Sequence, residues 1–243
     1  MLPRVCIPSY KRHKIIQEKT LRFLETQLYP AERIIIFVAS VEEEKIYKES
    51  IPHSLYGEIR VGVLGLSNQR NFITDFLDEG EIYISMDDDV KGIKLMTGNF
   101  LDLVKDATSE SCLGNGLSGL YGVHPNDDAR RFKERTTTHL THILGSFFIC
   151  RNHRDIRITH THKEDYERSI LYFLRYGTVL RCGRGGVSTS YMQTPGGLQT
   201  ESGGRAEGEN KAVQHLVERY PGLCKRKDKK GFPDLVLNWR AKV

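Results

Sequence analysis

The chain has no CxxC pair. Its five cysteines, Cys6, Cys112, Cys150, Cys182 and Cys224, are odd in number and scattered along the sequence. That spacing suggests neither a zinc knuckle nor a disulfide framework, and it suits a reducing, cytoplasmic setting. No run approaches the roughly 18 consecutive apolar residues of a membrane helix, so no membrane span is expected. A secretory leader is not expected either, because Pro3 and Arg4 sit beside Val5-Cys6-Ile7, which already reads as a strand. GxGxxG is missing, and so is the GxxxxGK loop followed by Ser or Thr; dinucleotide and P-loop readings are disfavoured. No internal repeat is visible.

What is there suffices for one large domain: 243 residues, 39% of them hydrophobic. The net charge is +5, and it is unevenly placed. Residues 224–243 carry Lys225, Arg226, Lys227, Lys229, Lys230, Arg240 and Lys242 against Asp228 and Asp234, a net +5 that equals the excess of the whole chain. Such a tail suggests a polyanionic partner, although a solvated basic surface has the same composition.

Strand-like runs at Val5–Pro8, Ile34–Val38, Ile59–Val63 and Ile82–Met86 alternate with helical stripes over 14–27, 42–50 and 67–77, the last capped by Ser67. Ile34–Val38 is continuously β-branched or aromatic, as in a strand buried on both faces. The alternation predicts an α/β fold, a parallel sheet with crossover helices. Beyond Val90 the pattern loosens. Residues 114–122 read as irregular and 126–135 as exposed; 143–150 and 178–182 read as strands, and 163–176 and 210–220 as helices. The glycine-dense stretch 183–208 reads as mobile loops or as close backbone approach to a ligand, with 196–208 a candidate lid.

Successive parallel strands place their carboxyl ends together, where α/β folds bind ligands. Four loops should meet there. After the first strand come Pro8-Ser9-Tyr10-Lys11-Arg12, whose hydroxyls, ring and cations suit a base and phosphates. Ser67-Asn68-Gln69-Arg70-Asn71 opens a helix, and Arg70 adds a charge-assisted anion contact. The run ending at Met86 is followed by Asp87-Asp88-Asp89. Three adjacent carboxylates at a strand tip repel one another, and a divalent cation, Mg2+ or Mn2+ rather than zinc, is the usual remedy. Strand alternation puts Asp87 and Asp89 on the nucleotide-facing side with Asp88 opposite, and Asp89 is the candidate closest metal ligand. The fourth loop, His162-Lys163-Glu164-Asp165, begins a helix. Acids are favourable there through the dipole alone; the functional reading is a general base acting on an acceptor hydroxyl. His160 and His162 are further candidate metal ligands.

Together these pieces resemble a GT-A (Rossmann-like) glycosyltransferase: a first strand ending in Pro8-Ser9-Tyr10, the SNQRN segment, a DxD-type triplet and the Glu164-Asp165 pair. The resemblance implies a mostly parallel central sheet flanked by helices in a single domain, 1–243. In that domain 1–95 would bind the nucleotide sugar, and 96–243 the acceptor, with the basic tail. It implies a nucleotide-sugar donor, UDP-glucose by preference, and Mn2+ or Mg2+ held by Asp89 and Asp87. Donor contacts fall to Pro8, Ser9, Tyr10, Arg12, Asn68, Arg70, Asn71, Asp87 and Asp88, with Arg70 and Asn71 near the nucleobase. The ED pair maps catalysis to Asp165 and Glu164, with Asp165 the base. A narrower likeness, carried by HKEDYERSILYFLRYGTVLRC, YMQTPGGLQT and YPGL, is to the TET/JBP-associated glycosyltransferases, which act on hydroxymethylpyrimidines in DNA. It implies DNA as partner, no membrane, and the cytoplasm as location (the host's, if phage-encoded). Arg181, Arg184 and Arg205 would hold diphosphate or DNA backbone. Rival readings are a polysaccharide or protein acceptor, a non-catalytic nucleic-acid module, and a metal-dependent nuclease.

Overall fold

The computed structural model describes residues 1–189, 205–228 and 232–243. The YMQTPGGLQT segment, the lid candidate over 196–204, the side chain of Arg205, and Lys229 and Lys230 lie outside the described residues.

Among the described residues nine strands form one sheet, and β10 (Cys224–Arg226) and β11 (Leu235–Leu237) form a separate hairpin. In the large sheet β1 (Arg4–Pro8), β2 (Ile34–Val38), β3 (Glu58–Val61) and β4 (Ile82–Met86) pair in parallel, in the spatial order β3-β2-β1-β4. All five β2 residues are buried, as a strand covered on both faces requires. Their side chains alternate between two apolar cores: Ile34, Ile36 and Val38 point to one, Ile35 and Phe37 to the other. α3 (Val41–Ser50) follows β2, capped by Ser40 accepting from the Glu43 N–H at 3.3 Å, and α4 (Leu66–Phe76) follows β3.

Past β4 the sheet is mixed rather than purely parallel. β8 (Phe147–Arg151) runs antiparallel to β4 and to β6 (Leu120–His124); β9 (Leu180–Thr189) is parallel to β6 and antiparallel to β5 (Val90–Leu95) and to the short β7 (Thr136–Thr137). Among the described residues β5, β7, the β10–β11 hairpin and α5 (Phe100–Thr108) have no counterpart in the sequence reading, and β6 runs through the end of the stretch 114–122 that reads as irregular. α5 begins with a capping box between Asn99 and Asp102 and buries Phe100, Leu103, Val104 and Ala107 at helical spacing.

Several boundaries shift. The 143–150 run forms a strand only from Phe147. The glycines at 183–186 belong to β9, not to loops. A Cβ on Gly185 would meet the Lys94 carbonyl oxygen at 2.8 Å, and one on Gly186 would run into that of Asn126. Close backbone approach explains them. Helix α4 is capped at Gly65 (φ 93°), not at Ser67, which lies inside the helix and bonds Thr161 at 3.0 Å. Lys163, in left-handed conformation (φ 58°), is the N-cap of α6 (Glu164–Tyr176), which Gly177 ends at φ 70°. α7 (Arg205–Arg219) starts five residues earlier than the periodicity suggests. Among the described residues no helix is long and apolar enough to cross a membrane.

The topology fixes the position of the site. From β1 the chain goes outward to β2 and β3, then returns to β4 on β1's other side. The crevice beyond the carboxyl ends of β1 and β4 is the switch point of the sheet. Ser9 follows one of those ends and Asp87 the other.

Candidate active site

The parallel strand β4 stops at Met86, and the three aspartates that follow leave the extended path. Their backbone is held from two sides. The Asp87 N–H donates to the Ser146 carbonyl at 3.0 Å. Thr20 Oγ1 donates to the Asp87 carbonyl at 2.7 Å and accepts from the Val90 N–H at 3.0 Å, so one hydroxyl spans the turn. Thr20 is fully buried in a π-helical turn, Gln17–Leu21, between two short α-helical pieces, α1 (His13–Ile16) and α2 (Arg22–Thr26). Such turns recur at functional sites.

Because Asp88 and Asp89 lie in a turn, strict alternation of the three side chains is not kept. Asp88 points at the β1 loop, accepting from Ser9 Oγ at 2.7 Å and from Arg12 at 3.0 Å. The same guanidinium comes within 4.0 Å of Asp89. Ser9 is itself braced by the Tyr47 hydroxyl at 2.7 Å. Buried Glu43 accepts from the backbone N–H groups of Lys11 (2.6 Å) and Ala39 (3.0 Å), tying the loops after β1 and β2 together.

Asp87 turns the other way, to Arg70. Arg70 is buried and reaches Asp87 at 2.9 Å, Ser85 Oγ at 2.8 Å, the Gly145 carbonyl at 2.9 Å and Glu164 at 3.2 Å. Burial pushes all three carboxyls up against the pull of Arg12 and Arg70: Asp87 above its ordinary range, Asp89 to about 6 and Asp88 to about 7. The turn is therefore a desolvated oxygen cluster whose acids resist ionising together. A hard divalent cation suits such a donor set.

The Glu164-Asp165 pair divides. Glu164 is buried and taken up by Arg70 and by Arg168, which itself lies 3.9 Å over the Phe148 ring. Its place is that of a brace between two arginines, not of a group facing substrate. Asp165 accepts from its own helix at Tyr166 N (3.0 Å) and pairs with His142 Nε2 at 2.8 Å. Burial works to raise the Asp165 carboxyl. His142, Lys163 and the Gly145 N–H outweigh it and hold the group below the ordinary carboxylate value. His142 is stacked on Tyr166, with ring centroids 4.0 Å apart. Gly145 lets these acids close in, since a Cβ there would strike Glu164 Oε1 and sit 3.5 Å from Asp165 Cβ.

The other forecast positions are placed as follows. Pro8 ends β1, and Tyr10 lies beside Lys11, whose ammonium is 5.0 Å from the ring. Asn68 is bonded only locally, to the Leu64 carbonyl at 3.1 Å. Asn71 has both ends of its amide on the Ile158 backbone, at 2.9 and 3.0 Å, which makes it a strut between α4 and the 158 segment instead of a group open to a nucleobase. Arg184 pairs with Asp106 on α5. His160 lies against His215, ring centroids 4.3 Å apart. Among the described residues the side chains that gather three metal-ligand atoms within 4.8 Å of one another are Glu79, His153 and Asp155. They sit at the amino end of β4, away from the Asp87–Asp89 turn at its carboxyl end. There His153 Nδ1 is 2.6 Å from Glu79, and Arg175 is 2.6 Å from Asp155.

Thr20, Tyr47, His142, Gly145 and Arg168 escaped sequence reasoning. Each acts through a partner remote in sequence or through its own smallness, and no motif marks them.

No family model matches the chain, and no curated protein is similar to it at a significant level. Solved structures are. One is a mannosyltransferase from Pyrobaculum calidifontis in complex with GDP-Man and Mn2+ (TM-score 0.52, 16% identity, 89% of this chain and 63% of that one). Another is glucosyl-3-phosphoglycerate synthase from Mycobacterium tuberculosis with Mn2+, UDP-glucose and phosphoglyceric acid (TM-score 0.52, 12% identity, 93% and 83%). A third is a mycobacterial protein (TM-score 0.54, 9% identity, 97% and 83%). The likeness is one of fold. The chain is an α/β domain whose mixed central sheet, parallel through its first four strands and flanked by helices, matches that of GT-A-type glycosyltransferases. It spans less than two thirds of the mannosyltransferase's length.

Proposed function

We propose that the protein is a glycosyltransferase that moves a hexose from a nucleotide sugar, UDP-glucose by preference, to the hydroxyl of a hydroxymethylated pyrimidine in DNA. The observation that carries the transferase reading is the reach of Arg70: one buried guanidinium touches Asp87 at 2.9 Å and Glu164 at 3.2 Å, so the acid turn and the ED pair form one site. The fold neighbours that hold Mn2+ with a nucleotide sugar support the same reading. The half over 1–95 supplies the donor side and 96–243 the acceptor side.

Asp89 and Asp87 would hold the divalent cation, which when bound supplies positive charge for the diphosphate leaving group. Ser9, Arg12 and Asp88 shape the donor floor, with Tyr10 beside them. Asp165, ionised at neutral pH, accepts the proton of the acceptor hydroxyl. The freed oxygen forms a bond to the anomeric carbon while the bond from that carbon to the diphosphate breaks, its electron pair leaving with the nucleoside diphosphate. His142 and Gly145 hold Asp165 in place, and Arg70 and Arg168 hold Glu164. The outcome is inversion at the anomeric carbon.

The DNA acceptor rests on the narrower resemblance and on the basic segment 224–243. Enzyme, Mn2+ and UDP-glucose incubated with hydroxymethylated DNA should add one hexose to the modified nucleoside, read by mass after digestion. Turnover of a polysaccharide or protein acceptor with no hexose on DNA would favour the second reading.

A further inference from the structure

We infer that Trp239, exposed among basic residues and tied through His139 and Asp234 to the segments that position Asp165, is a stacking platform for a nucleobase of the acceptor strand. The inference rests on the DNA reading above and adds the place where the strand is gripped.

Trp239 is the sole tryptophan of the chain and is 57% exposed. Tryptophan is enriched at interfaces, where its ring can be covered while its N–H stays wet. It is positioned all the same. The His139 ring meets it edge-on at 6.0 Å, and the Arg240 guanidinium lies 4.7 Å over it. The surroundings are basic. Arg135 and Arg181 lie close enough to His139 to add to the lowering of its pKa that burial begins. Both acids of the C-terminal segment are already held in ion pairs, Asp228 by Arg226 and Asp234 by Lys163, so neither answers the exposed Lys225, Lys227 and Arg240.

Two connections bind this surface to the candidate base. His139 is three residues from His142, which spans at most about 11 Å of chain, and His142 holds Asp165 at 2.8 Å. From the other side Asp234, just before β11, accepts from Lys163 (3.0 Å) and from the Tyr166 hydroxyl (3.2 Å), the residues that flank Asp165 on α6. A strand that presents one base to Asp165 would thus pass over the indole with its phosphates among cations. Aromatic stacking plus a cationic track is how single-stranded nucleic acid is held without sequence readout.

The lone indole is its own reporter. A twelve-residue thymidine oligonucleotide should quench the protein's fluorescence saturably, with affinity that falls as salt rises. By anisotropy of the same oligonucleotide carrying a fluorescein label, which also reads variants that lack the indole, Trp239→Ala should bind it roughly tenfold more weakly and Trp239→Phe nearly as well as the parent. Both variants should bind inorganic polyphosphate, which has charge but no bases, like the parent, and circular dichroism melting checks that they fold. Oligonucleotide binding without quenching, and unchanged in Trp239→Ala, would overturn the platform while leaving DNA as the acceptor. Failure of the parent to bind either the oligonucleotide or hydroxymethylated duplex would overturn the DNA reading and the platform with it.

Discussion

Two acidic groups are linked through Arg70 and Gly145, and their surroundings push them in opposite directions. In the Asp87–Asp89 turn burial dominates, and the carboxyls are raised, Asp89 to about 6 and Asp88 to about 7. At Asp165 burial is outweighed by His142, Lys163 and the Gly145 N–H, and the carboxyl is lowered. Identical side chains are thereby fitted for different work. A cluster that resists carrying its own charge suits a cation, whereas a single acid kept ionised by its neighbours suits a proton acceptor, which is the division of roles proposed above. Environments that separate like groups in this way are how acid and base assignments arise in a site.

The comparison can be broken at either end. The largest effect is expected at Asp165. Asp165→Asn should lower turnover about 1000-fold while UDP and Mn2+ still raise the melting temperature; an active variant would remove the base. Next is Asp89→Asn, which should reduce transfer roughly 100-fold and abolish the gain in UDP binding that Mn2+ gives, read by thermal shift with and without the cation. His142→Ala sharpens the contrast. It removes a charged hydrogen bond, about 1.5–3 kcal/mol, and leaves burial as the main influence on Asp165. In the parent the lowered carboxyl contributes stability that is present above the ordinary carboxylate pKa and lost as pH falls through the folded value. The variant should lack that contribution, and its pH–rate profile should show an acid limb displaced toward neutrality. An unmoved limb would mean that His142 does not set the ionisation of Asp165.

Smaller effects come from the supports. Gly145→Ala forces a methyl against Glu164 and should cost about 1–3 kcal/mol in denaturant unfolding. Thr20→Val keeps the shape but strands the Val90 N–H and frees the Asp87 carbonyl, at about 1–3 kcal/mol. It should also weaken Mn2+ binding, because the turn loses its clamp.

The same contrast explains what could be read from the sequence. The β1–β4 half was legible because period-two and period-3.6 patterns alternate there without interruption, and the acid triplet is a local string. The far half was harder. β9 is dense in glycine because its backbone lies against Lys94 and Asn126, so its composition looks like a loop. α5 hides behind Gly98-Asn99, although its apolar spacing is regular. Ser67 has the residue type of a cap, but Gly65 two positions earlier takes the left-handed turn. Asp165 stood out by its neighbour Glu164. The group that helps to keep it ionised, His142, lies 23 residues away in an irregular segment and is brought in by packing on Tyr166. Glu164, equally prominent in the string, is a brace for Arg70 and Arg168, a role that only the folded chain reveals.

The central claim is that the turn after β4 holds a cation together with a nucleoside diphosphate. A crystal soaked with Mn2+ and UDP tests it directly through the anomalous signal of manganese. A peak is expected in bonding contact with Asp89, with the diphosphate on the side of Ser9 and Arg12. Manganese found only at Glu79, His153 and Asp155, at the amino end of β4, or UDP bound away from the β1–β4 crevice, would contradict it.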